Sequence, residues 1–172
     1  LICNYSCYSS ILGGCRNCIV DSSCYSSIVG GGRNCMYSSD YATIIGGKNC
    51  MYGSDYATII GGCGNDLDNS DYSTIIGGYC NCLYYAECAS IIGGYDNRIC
   101  AYYGSARNAS ILGGVYNCIG HYYGSVCNSS VIGGCYNEIR LDSFKYSRVF
   151  SQTTQDFRQA LKPIKCYAAA PQ

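Results

Sequence analysis

Tyr41–Met51 reads YATIIGGKNCM, Tyr56–Leu67 reads YATIIGGCGNDL and Tyr72–Leu83 reads YSTIIGGYCNCL. The same phrase occurs eight times: a small polar residue, two aliphatic residues, two glycines, a short spacer, an asparagine and, two positions later, another aliphatic residue. The second glycines are Gly14, Gly31, Gly47, Gly62, Gly78, Gly94, Gly114 and Gly134, so successive steps are 17, 16, 15, 16, 16, 20 and 20 residues. A unit this short cannot bury a core alone and must stack on its neighbours, so the repeat predicts a solenoid.

One copy contains two strand signals and two turns. β-branched residues before Gly46-Gly47 predict a short strand, the glycines supply positive φ angles for a tight turn, and a second strand follows around Asn49–Met51. A polar stretch then returns the chain to the next coil. Two strands in 15–16 residues predict an all-β fold, a parallel β-roll of about eight coils over residues 1–140.

The last 32 residues, 141–172, break this rhythm and are predicted to form a C-terminal cap or a junction to another segment. Lys145–Phe150 resembles a ninth strand without its glycines. Thr153 could start a short helix that ends before Pro163. An open solenoid end needs a cover, so a cap is the default expectation.

The paired aliphatic residues predict self-association. Adjacent strand residues point to opposite faces, so Ile44, Ile59, Ile75 and Ile91 line one face, and Ile45, Ile60, Ile76 and Ile92 line the other. A single roll has only one interior, which leaves the second set as an exposed apolar row. Covering eight such residues would contribute on the order of 12–24 kcal/mol at ~1.5–3 kcal/mol each. We therefore expect several chains to pack along this row.

Asparagine recurs in every copy. A stacked asparagine can satisfy turn backbone groups and bond the amide of the next coil, so we interpret the set as a structural ladder without a catalytic role. Its members are Asn17, Asn34, Asn49, Asn65, Asn81, Asn97, Asn117 and Asn137.

Sixteen cysteines are many for this length, and several follow the repeat asparagine. Cys18, Cys35 and Cys50 would stack about 4.8 Å apart, within the Cα separation that a disulfide tolerates. Cys18–Cys35 or Cys35–Cys50 could therefore bridge. The alternative is a ladder of small apolar thiols, which we favour. Paired CxxC elements with histidines are missing, which argues against zinc.

One carboxylate per coil stands in four successive copies, at Asp40, Asp55, Asp71 and Glu87. Stacked carboxylates repel, and we expect them to splay into solvent. Bound calcium, or basic side chains of a neighbouring chain such as Arg33 or Lys48, is the alternative. No other cofactor is indicated.

A tyrosine row follows these positions. Its members are Tyr8, Tyr25, Tyr41, Tyr56 and Tyr72. Ring stacking between coils is the expected role, and a platform for sugar binding is the alternative.

The pattern Y-[AS]-[ST]-I-[IV]-G-G-x-x-N-x-[IML] resembles the head repeats of trimeric autotransporter adhesins and the related haemagglutinin-like repeats of phage and virus fibre proteins, over roughly residues 4–140. The resemblance implies a left-handed parallel β-roll, a side-by-side homotrimer and binding to a host surface or matrix. The high cysteine content departs from bacterial adhesin heads and suggests a large virus as the source. The expected location is extracellular, on a cell surface or on a virion.

The two 20-residue copies carry inserts that are candidate recognition loops, because binding residues concentrate in loops. They contain Tyr102, Tyr103, His121, Tyr122 and Tyr123, and the expected ligand is a host-surface glycan or protein. The single histidine, His121, has no acidic neighbour in sequence and is more simply a surface residue. Three N-glycosylation sequons begin at Asn4, Asn108 and Asn128, and tripeptides of this kind also arise by chance in a serine-rich chain.

Charge and hydropathy exclude some partners. Residues 1–139 hold 5 basic and 9 acidic side chains, so the repeats offer no basic stripe for nucleic acid. No segment reaches the ~18 apolar residues of a membrane span and no signal peptide is visible. Because the chain begins with Leu1, it is either processed or a fragment.

Several functions are compatible with a rod of this kind. A trimeric fibre or adhesin segment is favoured, and a purely structural filament or virion subunit without a receptor is the alternative. Ice binding through Thr43, Thr58 and Thr74 and glycan cleavage by carboxylates of neighbouring chains are minor alternatives. No nucleophile elbow, phosphate loop or zinc signature occurs, so we expect no enzyme activity.

Overall fold

The computed structural model describes residues 1–3, 5–121, 125–140 and 147–150. These residues form an all-β parallel solenoid of about eight coils without a helix, as the repeat predicts. Every strand pair between neighbouring coils is parallel, and equivalent residues of successive copies lie opposite one another, such as Ile44 and Ile59. The left-handed turn that the resemblance implies stays a prediction, and so does the homotrimer, because the structure is that of one chain.

Three parallel sheets run along the rod, and their strands are numbered in chain order. The first sheet contains β1 (Ser10–Leu12), β3 (Ser27–Val29), β5 (Thr43–Ile45), β7 (Thr58–Ile60), β9 (Thr74–Ile76), β12 (Ser90–Ile92), β15 (Ser110–Leu112), β18 (Ser129–Ile132) and β20 (Ser147–Phe150). The second contains β2 (Cys18–Val20), β4 (Cys35–Tyr37), β6 (Lys48–Tyr52), β8 (Cys63–Asp68), β10 (Cys82–Tyr84), β13 (Arg98–Ala101), β16 (Cys118–His121) and β19 (Glu138–Ile139). The third contains β11 (Ala86–Glu87), β14 (Ala106–Arg107) and β17 (Val126–Cys127).

The core lies between the first two sheets. Ile44 and Ile59, the middle residues of β5 and β7, and Met51 and Leu67, the next-to-last residues of β6 and β8, point inward and are completely buried. Alternation along a strand then sends the residues on either side outward. The core is one aliphatic residue deep from each sheet.

The double-glycine turn closes each coil on the first sheet. Gly30 and Gly31 have φ angles of 69° and 71°, which favour glycine. A Cβ on Gly31 would lie 2.6 Å from the carbonyl oxygen of Gly47 and 2.5 Å from Nδ2 of Asn34, whereas a Cβ on Gly30 would meet nothing within 4 Å. The second glycine is therefore required for close stacking as well as for backbone conformation.

The third sheet departs from the predicted two-stranded roll. In earlier coils the same side of the rod carries a serine and an aspartate whose side-chain oxygens accept backbone amides of the neighbouring coil: Ser54 Oγ accepts from Ser70 N at 3.0 Å, and Asp71 Oδ1 accepts from Asp55 N at 2.8 Å. At Ala86 no such side chain is present, and backbone groups pair directly from there on. The third sheet therefore begins in the first coil that has no serine side chain between the two backbones.

The segment after residue 140 is described only in part. β20 pairs in parallel with β18, so the ninth strand predicted at Lys145–Phe150 is present over Ser147–Phe150 and continues the first sheet. The helix predicted from Thr153, and with it the cap, lies outside the described residues.

Candidate functional site

The outward-facing aliphatic residues of the first sheet form one continuous strip, which we call the outer aliphatic row. It consists of Leu12, Val29, Ile45, Ile60, Ile76, Ile92, Leu112 and Ile132. Ile45, Ile60 and Ile76 are 41%, 39% and 40% exposed. The corresponding inner residues are buried, so the two aliphatic residues of each copy face opposite ways.

The outer aliphatic row is less exposed than isolated isoleucines would be, because in-register neighbours on the coils above and below cover part of each side chain. The eight side chains are between 38% and 70% exposed, most of them near 40%, so covering all eight would contribute about 5–10 kcal/mol. That is roughly half of the sequence-based value. A groove lies over its C-terminal part, lined by Ile92, Leu112, Ile132, Arg148 and the serines between them.

The asparagine ladder is a chain of buried hydrogen bonds. Asn81 Oδ1 accepts the backbone amide of Asn97 at 3.0 Å, and its Nδ2 donates to the carbonyl oxygen of Gly93 at 3.3 Å. The equivalent amide-to-Oδ1 bond joins each of the eight ladder residues to the next. These contacts hold the turns of neighbouring coils together, and they leave the asparagines inaccessible to ligands.

The candidate metal ligands are occupied by the backbone or by an ion pair. Asp40, Asp55 and Asp71 each accept a backbone amide of the preceding coil through Oδ1, at 2.6–2.8 Å. Glu87 instead pairs with Arg107, at 2.9 Å between Oε2 and Nε. Among the described residues, no three His, Cys, Asp or Glu side chains form a group that could hold a metal ion. The geometry therefore gives the calcium hypothesis no support, and it assigns these carboxylates to coil stacking.

The tyrosine row is a continuous stack. Ring centroids of successive members lie 4.9–5.0 Å apart with interplanar angles of 3–13°. Each ring face inside the stack is covered by the next ring, so the stack presents edges and hydroxyls outward. A sugar ring would need an uncovered face, which disfavours the sugar platform along this row. These tyrosines also hold positive φ angles, 55° at Tyr56.

Thiols and charged groups share the outer face of the second sheet. Cys18, Cys35 and Cys50 lie opposite one another in register, and Sγ of Cys50 is 3.4 Å from Sγ of Cys35. Burial and the neighbouring Cys50 thiol raise the pKa of Cys35 to about 12. Asp66 continues the row, with its Oδ1 buried and without a hydrogen-bond partner, and burial raises its pKa.

A second thiol pair lies further along this face. The pKa of Cys100 is lowered to about 7, because the Cys118 thiol donates a hydrogen bond to its thiolate and Arg98 and Arg140 favour the negative charge. Cys118 is held protonated by the same interaction, so its pKa is raised. Cys82, flanked in register by Asp66 and Arg98, has its pKa raised to about 12, mainly by burial.

The two candidate recognition loops begin side by side. The first follows Ala101 at the end of β13, and the second begins at His121 at the end of β16, which pairs with Ala101. Tyr102 and Tyr103 are exposed, and Tyr102 contacts the ring of Tyr84 with centroids 5.1 Å apart. Tyr122 and Tyr123 lie outside the described residues, as does the side chain of His121.

Two of the three sequon asparagines are described. Asn108 and Asn128 are exposed and continue the position of the tyrosine row with φ angles of 52° and 50°. Asn4 lies outside the described residues. Glycosylation stays a prediction.

Comparison with protein-family models finds no matching family, and comparisons with the curated proteins and with the solved structures find no match. The resemblance to adhesin and fibre repeats therefore remains a prediction from the motif. In the described part of the chain, no helix has the length and apolarity needed to cross a membrane.

Two buried rows of serines escaped the sequence reasoning. Ser23, Ser39, Ser54 and Ser70 are completely buried, and each hydroxyl accepts the amide of the equivalent residue in the next coil. The triplet Ser-Asp-Tyr, which occurs in three successive copies, was the available signal. A second row holds Ser9, Ser26 and Ser73, whose hydroxyls accept amides of the next coil in the same way, and it is interrupted by Ala42 and Ala57.

Proposed function

We propose that this chain is a segment of a structural fibre or adhesin, in which several copies, three by the motif resemblance, pack side by side as left-handed rolls along the outer aliphatic row. The single observation that carries the proposal is that row: eight aliphatic residues, in register, exposed along the length of the rod. A soluble chain rarely leaves so long an apolar strip uncovered. The role is non-enzymatic and the expected location is extracellular, on a cell or virion surface.

The outer aliphatic row needs help from neighbouring surfaces to hold a lateral assembly together. A gain of about 5–10 kcal/mol per chain from the row alone is comparable to the cost of association, so neighbouring surfaces must add to it. The serine and threonine row beside it, including Thr43, Thr58 and Thr74, is half-buried and supplies hydroxyls for such contacts. In this assembly the tyrosine-containing loop at Tyr102 and Tyr103 would be the surface left for a host glycan or protein.

The test is the oligomeric state of the purified chain, measured by native mass spectrometry and sedimentation. A closed trimer is expected. Ile60→Asp should dissociate it, because a carboxylate would be buried in the apolar contact. Val115→Asp is the matched control: Val115 is 38% exposed against 39% for Ile60, but it lies on the turn between the sheets. A stable wild-type monomer at micromolar concentration would contradict the proposal.

The second candidate is a filament subunit without receptor binding. In the part of the chain that the structure describes, Cys7, Cys15 and Cys88 are exposed and could link copies, which favours this alternative. An open-ended polymer that disperses in reducing agent would support the filament over the closed fibre.

A further inference from the structure

The second sheet carries a pair of thiols in a position to react with each other. β4 and β6 are in unbroken parallel register, with Cys35 opposite Cys50 and Tyr37 opposite Tyr52. The two sulfur atoms are 3.4 Å apart. Both residues are half-buried, so a small oxidant can reach them.

The neighbouring tyrosines show that equivalent residues of these two coils lie directly above one another. The rings of Tyr37 and Tyr52 stack with centroids 4.9 Å apart and an interplanar angle of 3°. Strands in this arrangement are about 4.8 Å apart, inside the Cα range of 4.4–6.8 Å that disulfides occupy. Closing the sulfur–sulfur distance to about 2.05 Å then needs rotation of both side chains and a Cβ separation of about 3.5–4.5 Å, so the two strands must also approach each other by a few tenths of an ångström at this point.

We propose that Cys35 and Cys50 form an intrachain disulfide that staples two successive coils of the rod. In this step both S–H bonds break and one S–S bond forms. Two electrons and two protons pass to a disulfide oxidant, such as oxidised glutathione, which is reduced to two thiols. The proposal concerns a single chain and does not depend on the oligomeric state.

Cys35 could also pair with Cys18, which lies opposite it on the other side. Cys50 is the preferred partner because its sulfur is in direct contact with that of Cys35. The larger effect of Cys50 than of Cys18 on the pKa of Cys35 agrees with this choice. A middle cysteine can bridge only one neighbour at a time, so Cys18 is left as a free thiol.

The rate of bridging should depend on pH. Because the pKa of Cys35 is raised to about 12, its thiol is protonated near neutral pH. Thiol–disulfide exchange requires the thiolate. Each route to the bridge uses the Cys35 thiolate once, so bridging by oxidised glutathione should become roughly a hundred-fold faster between about pH 7 and about pH 9.

The experiment uses the full chain, oxidised with excess glutathione disulfide, blocked with N-ethylmaleimide, denatured and digested with trypsin without reduction. Trypsin cuts after Arg33 and Lys48, so the bridge would join two peptides, the first beginning at Asn34 and the second at Asn49. The second peptide ends at Arg98 and contains four further cysteines, Cys63, Cys80, Cys82 and Cys88. The linked pair should therefore have the summed mass of the two peptides and of one N-ethylmaleimide adduct on each of these four cysteines, less about 2 Da for the two hydrogens lost, and reduction should separate it.

Cysteine-to-serine variants identify which two cysteines form the bridge. Cys35→Ser and Cys50→Ser should abolish the linked pair, whereas Cys18→Ser should retain it. Cys82→Ser is the matched control, because Cys82 lies in the same row between Asp66 and Arg98 and has no thiol opposite it. A raised urea midpoint on oxidation, seen in wild type and Cys82→Ser and missing in Cys35→Ser, would show that the link forms in the folded chain.

Three results would overturn the proposal. The first is a folded, oxidised chain without the linked pair, and the second is a bridge from Cys35 to Cys18 instead. The third is a linked pair found only in a dimer band on a non-reducing gel, which would make the bond intermolecular.

Discussion

Alanine at the two glycines of one turn should separate backbone strain from coil spacing. Gly30 and Gly31 have φ angles of 69° and 71°, so alanine at either position carries the same conformational cost of about 1–2 kcal/mol. Only at Gly31 would the new methyl group also press on a neighbouring coil, 2.6 Å from the carbonyl oxygen of Gly47. That oxygen belongs to backbone and cannot rotate away.

Overpacking of this kind costs about 1–3 kcal/mol in addition. We therefore expect Gly31→Ala to lower the free energy of unfolding by about 2–5 kcal/mol and Gly30→Ala by about 1–2 kcal/mol. Part of the excess would come from displacing the side chain of Asn34, whose Nδ2 would lie 2.5 Å from the added carbon. The ladder bond of the next coil would be strained with it.

The assay is urea unfolding followed by far-ultraviolet circular dichroism, with all chains reduced and at one concentration, because assembly makes apparent stability concentration-dependent. The quantity compared is the shift of the midpoint between the two variants. Equal losses would show that φ alone explains the glycine pair. A smaller loss for Gly31→Ala than for Gly30→Ala would refute the close stacking of neighbouring turns.

Three further predictions concern ladder and surface groups. Asn81→Ala should lower the free energy of unfolding by about 3 kcal/mol, because the buried amide of Asn97 and three turn carbonyls lose their partner. Urea unfolding measures this loss, and a value below about 1 kcal/mol would contradict the ladder. Asp55→Ala should cost about 1.5–3 kcal/mol by removing the acceptor of the Asp40 amide, and Asp55→Asn, which keeps an acceptor oxygen, should cost less; equal losses would mean that charge rather than the hydrogen bond matters. At pH 7, iodoacetamide should label Cys100 roughly a hundred-fold faster than Cys35, because the first thiol has a pKa lowered to about 7 and the second a pKa raised to about 12. Peptide mass spectrometry checks this, and labelling of Cys100 should rise through pH 7 and level off above it.

Much of the fold was predictable because one period fixes both the spacing and the direction of side chains. Once Ile44 and Ile45 follow each other in a short strand, one must face in and the other out. The asparagine ladder followed from the same reasoning, since a polar residue at a fixed place in every coil stacks on itself. These inferences need only the repeat.

The third side of the rod was not predictable to the same degree. Ser54 and Asp55 look like ordinary turn residues, and only the structure shows that their oxygens take the place of a backbone ladder. The repulsion between stacked carboxylates predicts that they turn into solvent. That prediction leaves out the backbone amides of the adjacent coil, which Asp40, Asp55 and Asp71 accept as hydrogen-bond donors. Long-range hydrogen bonds of this kind depend on the rotation between coils, which the period does not specify.

The eight copies vary very differently on the two outer faces. At the outer aliphatic row every copy has leucine, valine or isoleucine. At the row that begins with Cys18 on the second sheet, five of the eight coils carry cysteine and the other three carry aspartate, arginine and glutamate. Both positions are outward and partly exposed, so the core imposes no such difference. A face that must fit an equally long partner has to repeat, whereas a face in solvent is free to change from coil to coil. The contrast supports a partner along the aliphatic row, and it leaves the second sheet available for local chemistry such as the thiol pair.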